Sequence, residues 1–471
     1  MTDPVQLAQT ALAQGDVSLP AATEHREAAD DYIDWLHQSP TPFHAVTSCV
    51  RQLQAAGFVA RPHGGSLQGA PGERMYVVHP DGKSLIALVI GQRSPVDTGY
   101  ALVAAHTDSP DLRLRLNPLS QAAGTTVLAT QFHGGLIRRA WFDRPLALAG
   151  AAYQIVRGKG GSPKFSEVTG MPVVTRRLVH LDAPVAIIPD LAIHLDREKN
   201  DKGAVNPQTM LNAIVASGVG SLDEVVALLA AQSGVDFGDL DGFDLHLVPA
   251  ARPQRVGLDR SLVTGPRHDD LAMVWCGLRA LIQSVQQEPE PVRTQVAAFF
   301  DAEETGSLTS SGAASSFLRD VLLRVARRHV KTAKSADAEQ AFAHTFCISA
   351  DMAHAWHPNF QDLHDKQHAP RINQGPVIKA NASDRYATTG ETAATFAALC
   401  EAAGVRVQDF VVKQDMACGT TIGPITSAQL AARVVDVGCP MWAMHSTHET
   451  CGAEDLGAMV AVMQKFFVGG V

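Results

Sequence analysis

Two adjacent carboxylates, Glu303 and Glu304, follow the apolar run Gln295–Phe300 through Asp301-Ala302. Like charges this close to the edge of a core call for a cation beside them. Other imidazoles and carboxylates hold equivalent places. His106-Thr107-Asp108 follows Tyr100–Ala105, Asp351 follows Phe346–Ser349, and His445 follows Met441–Met444. His268-Asp269-Asp270 opens a stretch in which Leu271, Val274, Trp275, Leu278, Leu281 and Ile282 recur at helical spacing. A mixed set of imidazoles and carboxylates suits zinc or its first-row neighbours. Two divalent ions about 3.5–4 Å apart need a bridging carboxylate and a shared water. Asp269, Glu304 and Asp351 bring three negative charges against the four positive charges of such a pair, so a bridging hydroxide would neutralise the site.

Each piece alone has a plainer reading. His106-Thr107-Asp108 is an ordinary capped turn, and the paired glutamates an ordinary solvated loop. It is their common position, after strands and before a helix, that points to one site. Ligands of open α/β sheets bind beyond the carboxyl ends of the strands.

The elements that must position these residues alternate between helix and apolar strand on either side of a different region. The first 26 residues are small and polar and read as an N-terminal extension; a helix is expected from about Glu27 to before Ser39-Pro40. A second helix carries Val46, Val50 and Leu53, and Arg74–His79 and Ser84–Ile90 flank the hairpin turn Pro80-Asp81-Gly82. From Leu112 the pattern becomes period two, with further β-like runs at Leu178–Leu181, Val185–Ile188 and Leu191–Leu195 and a helical segment near Leu222–Ala231. The expected fold is α/β, a largely parallel sheet flanked by helices. Its catalytic domain is discontinuous, residues 27–111 and 256–471, and residues 112–255 form an inserted β-rich domain.

Composition limits the function classes. The chain has 471 residues, 46% hydrophobic and 18% charged, with a formal charge of −9. Phosphate binding requires a basic face, and the densest basic cluster, Arg324, Arg327, Arg328, Lys331 and Lys334, reads as a solvated helix face. No nucleic-acid partner is expected. No apolar run approaches the roughly 18–20 residues of a membrane span, and the amino end lacks the features of a signal peptide. The seven cysteines form no C-x-x-C pair, which fits a reducing cytoplasm.

Ordered motifs then carry a resemblance. They are Ala105-His106-Thr107-Asp108-Ser109-Pro110, Trp141-Phe142-Asp143-Arg144, Ala192-Ile193-His194-Leu195 and Arg267-His268-Asp269, followed by Asp301–Ser307. Further on come Ile348–Ala355, Gly375–Lys379, Cys418–Pro424 and Ala443-Met444-His445-Ser446. Over residues 29–468 the chain resembles the aspartyl aminopeptidase family of two-metal peptidases. The resemblance implies that Asp269 bridges both ions, that His106 and Asp351 complete one, and that Glu304 and His445 complete the other. It makes Glu303 the general base, Asp108 the carboxylate that orients His106, and His194 a donor to the substrate carbonyl in a neighbouring subunit's site. Lys379 and Tyr386 would line the substrate pocket, with Lys379 facing an acidic side chain, and His354 and His357 would lie close by. The ions would be Zn2+, or Mn2+ or Co2+, two per subunit. The substrates would be peptides with N-terminal Asp or Glu, hydrolysed by the metal-bound hydroxide, and the assembly a tetrahedral dodecamer built from dimers through the insertion and its exposed Trp141-Phe142 pair.

Three residues depart from the family pattern. His448 stands where arginine is common, Asp270 where asparagine is, and His268 at a usually apolar position. His448 replaces a fixed cation by a titratable one. Two other readings use the same residues: another two-metal amide hydrolase of this fold, a deacylase or carboxypeptidase, or a catalytically silent assembly protein.

Overall fold

The computed structural model describes residues 20–218, 221–235, 238, 240–327 and 335–469. Residues 1–19 of the expected extension, and Arg328, Lys331 and Lys334 of the basic cluster, lie outside the described residues. The first helix is Pro20–His37, so it begins earlier than Glu27.

Strict alternation of buried side chains builds the larger layer. A nine-stranded sheet runs in the order Val59–Ala60, Arg74–Val78, Leu85–Val89, Thr294–Phe300, Tyr100–His106, Phe346–Ala350, Arg433–Gly438, Val377–Ala380 and Gln408–Val411. Its centre, from Thr294–Phe300 to Arg433–Gly438, is parallel. Successive side chains leave a strand on opposite faces. Val103, Ala105, Phe299, Ile348 and Val435 therefore meet one core, which holds the helices Pro20–His37, His268–Gln287 and Ala453–Val468. Leu102, Ala104, Phe300, Cys347 and Val434 meet another, under Phe317–Ala326, Ser335–Ala343 and Ile422–Leu430. Burial on both faces is why these strands read as continuous apolar runs. Helix His268–Gln287 lies close on the sheet because Gly277 has no side chain; a Cβ there would meet Val103 Cγ1 at 3.1 Å.

The strands Gly242–Pro249, Asp111–Ala122, Thr125–His133, Ala213–Ser217, Val174–Ile187 and Pro145–Ile155 close in that order into a barrel. Leu112, Leu148, Val179 and Leu247 fill it, together with Val225 and Leu229 of helix Leu222–Ser233. That helix opens on a Ser221/Glu224 capping box.

Three expectations change. Trp141 and Phe142 are 2% and 8% exposed and belong to the barrel core, so they are not an exposed pair. Leu191–Leu195 is no strand; Ile193, His194 and Leu195 form an exposed turn. Met441–Met444 is not a strand of the large sheet. Pro440–Trp442 instead belongs to a separate five-stranded sheet with Gln254–Val256, Leu262–Gly265, Glu449–Gly452 and Ala353–His354. Among the described residues no helix is long and apolar enough to cross a membrane, and all seven cysteines are free thiols.

Candidate active site

The carboxyl ends of three central strands and the start of one helix deliver the predicted residues to one cleft. His106 ends Tyr100–His106, Asp351 follows Phe346–Ala350, and Glu303-Glu304 form a short 3-10 turn beyond Thr294–Phe300. Ala302, with φ of 65°, swings that turn away from the strand. Asp269 sits in the first turn of its helix, beside the cis peptide bond to Asp270. His445 arrives from the smaller sheet, three residues beyond Trp442.

Three groups of potential ligand atoms result, each with its members within 4.8 Å of one another: His106, Asp269 and Asp351; Asp269, Glu304 and His445; and His106, Glu303 and Glu304. Asp269 spans the first two. Its Oδ1 is 3.4 Å from His106 Nε2, and its Oδ2 is 3.3 Å from His445 Nε2. His445 Nε2 also lies 3.2 Å from Glu304 Oε1.

The donor chemistry fits divalent cations. A carbonyl oxygen only accepts, so His106 donates Nδ1–H to Asp108 O at 3.0 Å and His445 donates Nδ1–H to Gly135 O at 3.0 Å. Nε2 is then the nitrogen of each ring that faces the carboxylate oxygens, and it is the one that would ligate a metal once unprotonated. Asp269 Oδ1 and Glu304 Oε1 are buried and accept no hydrogen bond. Buried polar atoms without partners are costly, and a cation between these oxygens and the two Nε2 atoms would satisfy all of them.

Protonation shifts report the crowding of negative charge. Burial pushes the Glu303 carboxyl up to about 8, and Asp351, Glu304 and Asp269 add to the shift while His106 opposes it. Burial likewise raises Asp351 to about 6 against the pull of Lys379. Burial would also raise Asp269, yet His106 and His445 hold it well below the usual carboxylate range. Burial disfavours the imidazolium of His445, but Asp269 and Glu304 carry it up to about 12.

Asp108 is fully buried and does more than face His106. Its carboxylate accepts from the backbone amides of Glu303 at 3.0 Å and Glu304 at 3.3 Å, and from His133 Nε2 at 2.9 Å. His106 Nδ1 is 3.5 Å from Asp108 Oδ1, so the closer contact of that ring is the Asp108 carbonyl.

The expected pocket residues divide. Lys379 is 2% exposed, with Nζ 3.5 Å from Asp351 Oδ1, 3.1 Å from Met352 O and 5.3 Å from the Tyr386 ring centre. Tyr386 and His354 line a cavity of about 240 Å³ with His364, His368, Phe410 and Lys413. His357 packs against Phe360 and Trp442 outside that cavity. His194 is exposed and is in none of the three ligand groups.

The departures from the family pattern have local causes. His268 is fully buried and shares a 2.8 Å hydrogen bond between Nδ1 and Tyr32 Oη, while its Nε2 has no hydrogen-bond partner. Asp270 Oδ2 accepts from the backbone amide of His106 at 3.1 Å. His448 is half-buried beside Thr447 and Arg144, apart from the ligand groups.

Two contributors were not singled out from the sequence. Glu449 is 1% exposed and accepts from the amides of both Asp269, at 3.1 Å, and His445, at 2.6 Å. His133 is the other. An acidic residue four positions after His445 and a histidine closing an alternating strand were the available signals.

A family model described as aminopeptidase I zinc metalloprotease (M18) matches residues 35–467. A protein of Ectopseudomonas mendocina (strain ymp), named Probable M18 family aminopeptidase 2, is 40% identical over 447 residues, covering 94% of this chain and 98% of its own. The chain superposes with a TM-score of 0.88 on a structure titled as the Ape4 and Nbr1 complex, at 32% identity over 95% of this chain and 86% of that one. It also superposes on the mApe1 dodecamer of S. cerevisiae, with a TM-score of 0.79 and 25% identity over 94% and 97% of the two chains.

Proposed function

The chain belongs to the aminopeptidase I zinc metalloprotease (M18) family, and from that premise we propose that it releases single residues from the amino end of peptides at a centre of two divalent ions. The observation that carries this reading is the sharing of Asp269 between two ligand groups, one completed by His106 and Asp351 and the other by Glu304 and His445. Zn2+ suits these donors best, with Mn2+ or Co2+ as alternatives. Bound there, the ions supply Lewis-acid polarisation of the scissile carbonyl and lower the pKa of water.

The side chains do the rest. Glu303 takes a proton from the attacking water and returns it to the leaving amine. Burial and the neighbouring carboxylates raise its carboxyl to about 8 in the absence of ions, and cations bound beside it would bring it back toward the ionised form that accepts the proton. Asp108 holds Glu303 through its amide and so fixes where that proton goes. His194 of a neighbouring subunit donates to the oxygen of the scissile carbonyl as negative charge develops on it.

The preferred N-terminal residue is Asp or Glu. Tyr386, with Lys379 behind its ring, lines a cavity whose other walls carry His354, His364, Asp365, His368 and Lys413, and the two lysines are the cations near it that an acidic side chain would meet. The functional assembly is a homo-oligomer built from dimers and closing into a tetrahedral dodecamer, the 12-subunit state named for the S. cerevisiae structure. Exposed Leu191, Ile193 and Leu195, at 51%, 45% and 74%, surround His194 and support burial of this turn against a second copy.

Elemental analysis and a panel of N-terminal aminoacyl anilides test this together. Wild type should carry two equivalents of metal and cleave the Asp and Glu anilides fastest. Asp269→Ala should lose both ions, and His445→Ala mainly one. Full metal content in Asp269→Ala would overturn the shared-ligand reading.

A further inference from the structure

Among the described residues, the contacts of the inserted barrel with the metal-ligand groups of its own subunit gather in a short segment, residues 133–137, where strand Thr125–His133 ends. We propose that this segment is a positioning element for the Glu304/His445 half of the centre, with His133 as its principal positioning residue. The inference rests on the two-metal reading above.

Three contacts made by different chemical groups converge. His133, 8% exposed, donates from Nε2 to Asp108 Oδ2 at 2.9 Å. The same carboxylate receives the amides of Glu303 and Glu304, so His133 braces the anchor on which both glutamates hang. Strand pairing fixes His133 there, because it stands opposite Asp111 across the antiparallel ladder, three residues beyond Asp108.

The second contact is main-chain. Gly135 O accepts Nδ1–H of His445 at 3.0 Å, and the amide of Ile137 donates to His445 O at 3.0 Å. The first of these selects the tautomer that leaves His445 Nε2 facing Asp269 and Glu304. The third contact is steric. Gly134 has φ of +67°, and a Cβ on it would lie 2.9 Å from Glu304 Cβ and 3.2 Å from Glu304 Oε2. The segment thus fixes the glutamate turn from one side and the histidine ring from the other. A rigid barrel can hold both at once, which a free loop would not.

Zinc affinity by competition with a chromophoric chelator is the primary readout, supported by kcat, KM and the unfolding of metal-free protein. Full-length His133→Ala should bind the more weakly held zinc roughly 10–100-fold less tightly, as is usual on losing a partner that orients metal ligands. Its kcat should fall by a similar factor, with KM and metal-free Tm nearly unchanged. His133→Gln, which can place an amide N–H near the Nε2 position, should recover much of both losses. Gly134→Ala provides a second route should His133→Ala fold poorly, and it should lose up to one equivalent of zinc.

Wild-type zinc affinity in both His133→Ala and Gly134→Ala would overturn the proposal. So would a His133→Gln variant as impaired as His133→Ala, since a braced hydrogen bond would then not be the cause. If wild type itself binds no zinc, the two-metal reading fails; if wild type and variants all bind two with the same affinity, only this inference does.

Discussion

At the residue scale, Glu303 and Glu304 are neighbours in sequence with different surroundings. Glu304 Oε1 is buried without a hydrogen bond beside His445, whereas Glu303 is 3.9 Å from His106 and carries the raised pKa of about 8. Glu303→Gln should therefore keep its metal and lose about three orders of magnitude in kcat, within the range of general acid–base catalysis. Glu304→Gln should lose metal first. Steady-state kinetics alongside elemental analysis of both variants checks the division, and swapped phenotypes would reverse it. The Lys379 ammonium also lies 3.5 Å from Asp351 Oδ1, a contact separate from the role toward substrate proposed for it. Lys379→Ala should raise KM for acidic anilides far more than for leucine or alanine anilides. Equal effects on both classes would assign Lys379 to Asp351 alone.

At the scale of elements, the barrel depends on a buried ion pair as well as on its apolar filling. His246 Nδ1 lies 2.5 Å from Asp111 Oδ2, joining strand Gly242–Pro249 to strand Asp111–Ala122. Burial lowers the pKa of His246, but the Asp111 carboxylate, followed by Asp244, carries it to about 9, with Arg113 opposing. A histidine whose pKa is higher in the folded chain stabilises fully below its unfolded value of about 6.5. That contribution declines as pH rises through the folded value. Denaturant unfolding at a series of pH values should show stability falling between pH 6.5 and about 9 more steeply in wild type than in His246→Gln. Parallel profiles would remove His246 from the account.

On the scale of the whole molecule, the reading requires that activity follow assembly. His194→Ala and Glu303→Gln should each be inactive, and mixing them after dissociation and reassembly should restore part of the activity. A His194→Ala subunit keeps its own Glu303 and receives His194 from its Glu303→Gln neighbour, which makes one working site. No recovery in demonstrably mixed oligomers would confine His194 to its own subunit or remove it from the reaction.

The sequence by itself determined the strands Tyr100–His106, Thr294–Phe300 and Phe346–Ala350, because strands covered on both faces must be apolar throughout and end abruptly at polar residues. It also brought His106, Asp108, Asp269, Asp270, Glu303, Glu304, Asp351 and His445 together by their places after apolar runs or at a helix start, and the family resemblance selected the five ligands among them. Tertiary structure decided what local pattern does not encode. Trp141 and Phe142 look exposed among short glycine-rich runs, and only closure of the barrel buries them. Pro440–Trp442 has the composition of any short buried strand, and its place in the smaller sheet depends on its partners Glu449–Gly452 and Ala353–His354. Glu449 and His133 act through hydrogen bonds to segments 180 and 25 residues away, and no spacing rule reaches across such separations. Burial and long-range hydrogen bonding are properties of neighbours in space, so the chain discloses them only once it is folded.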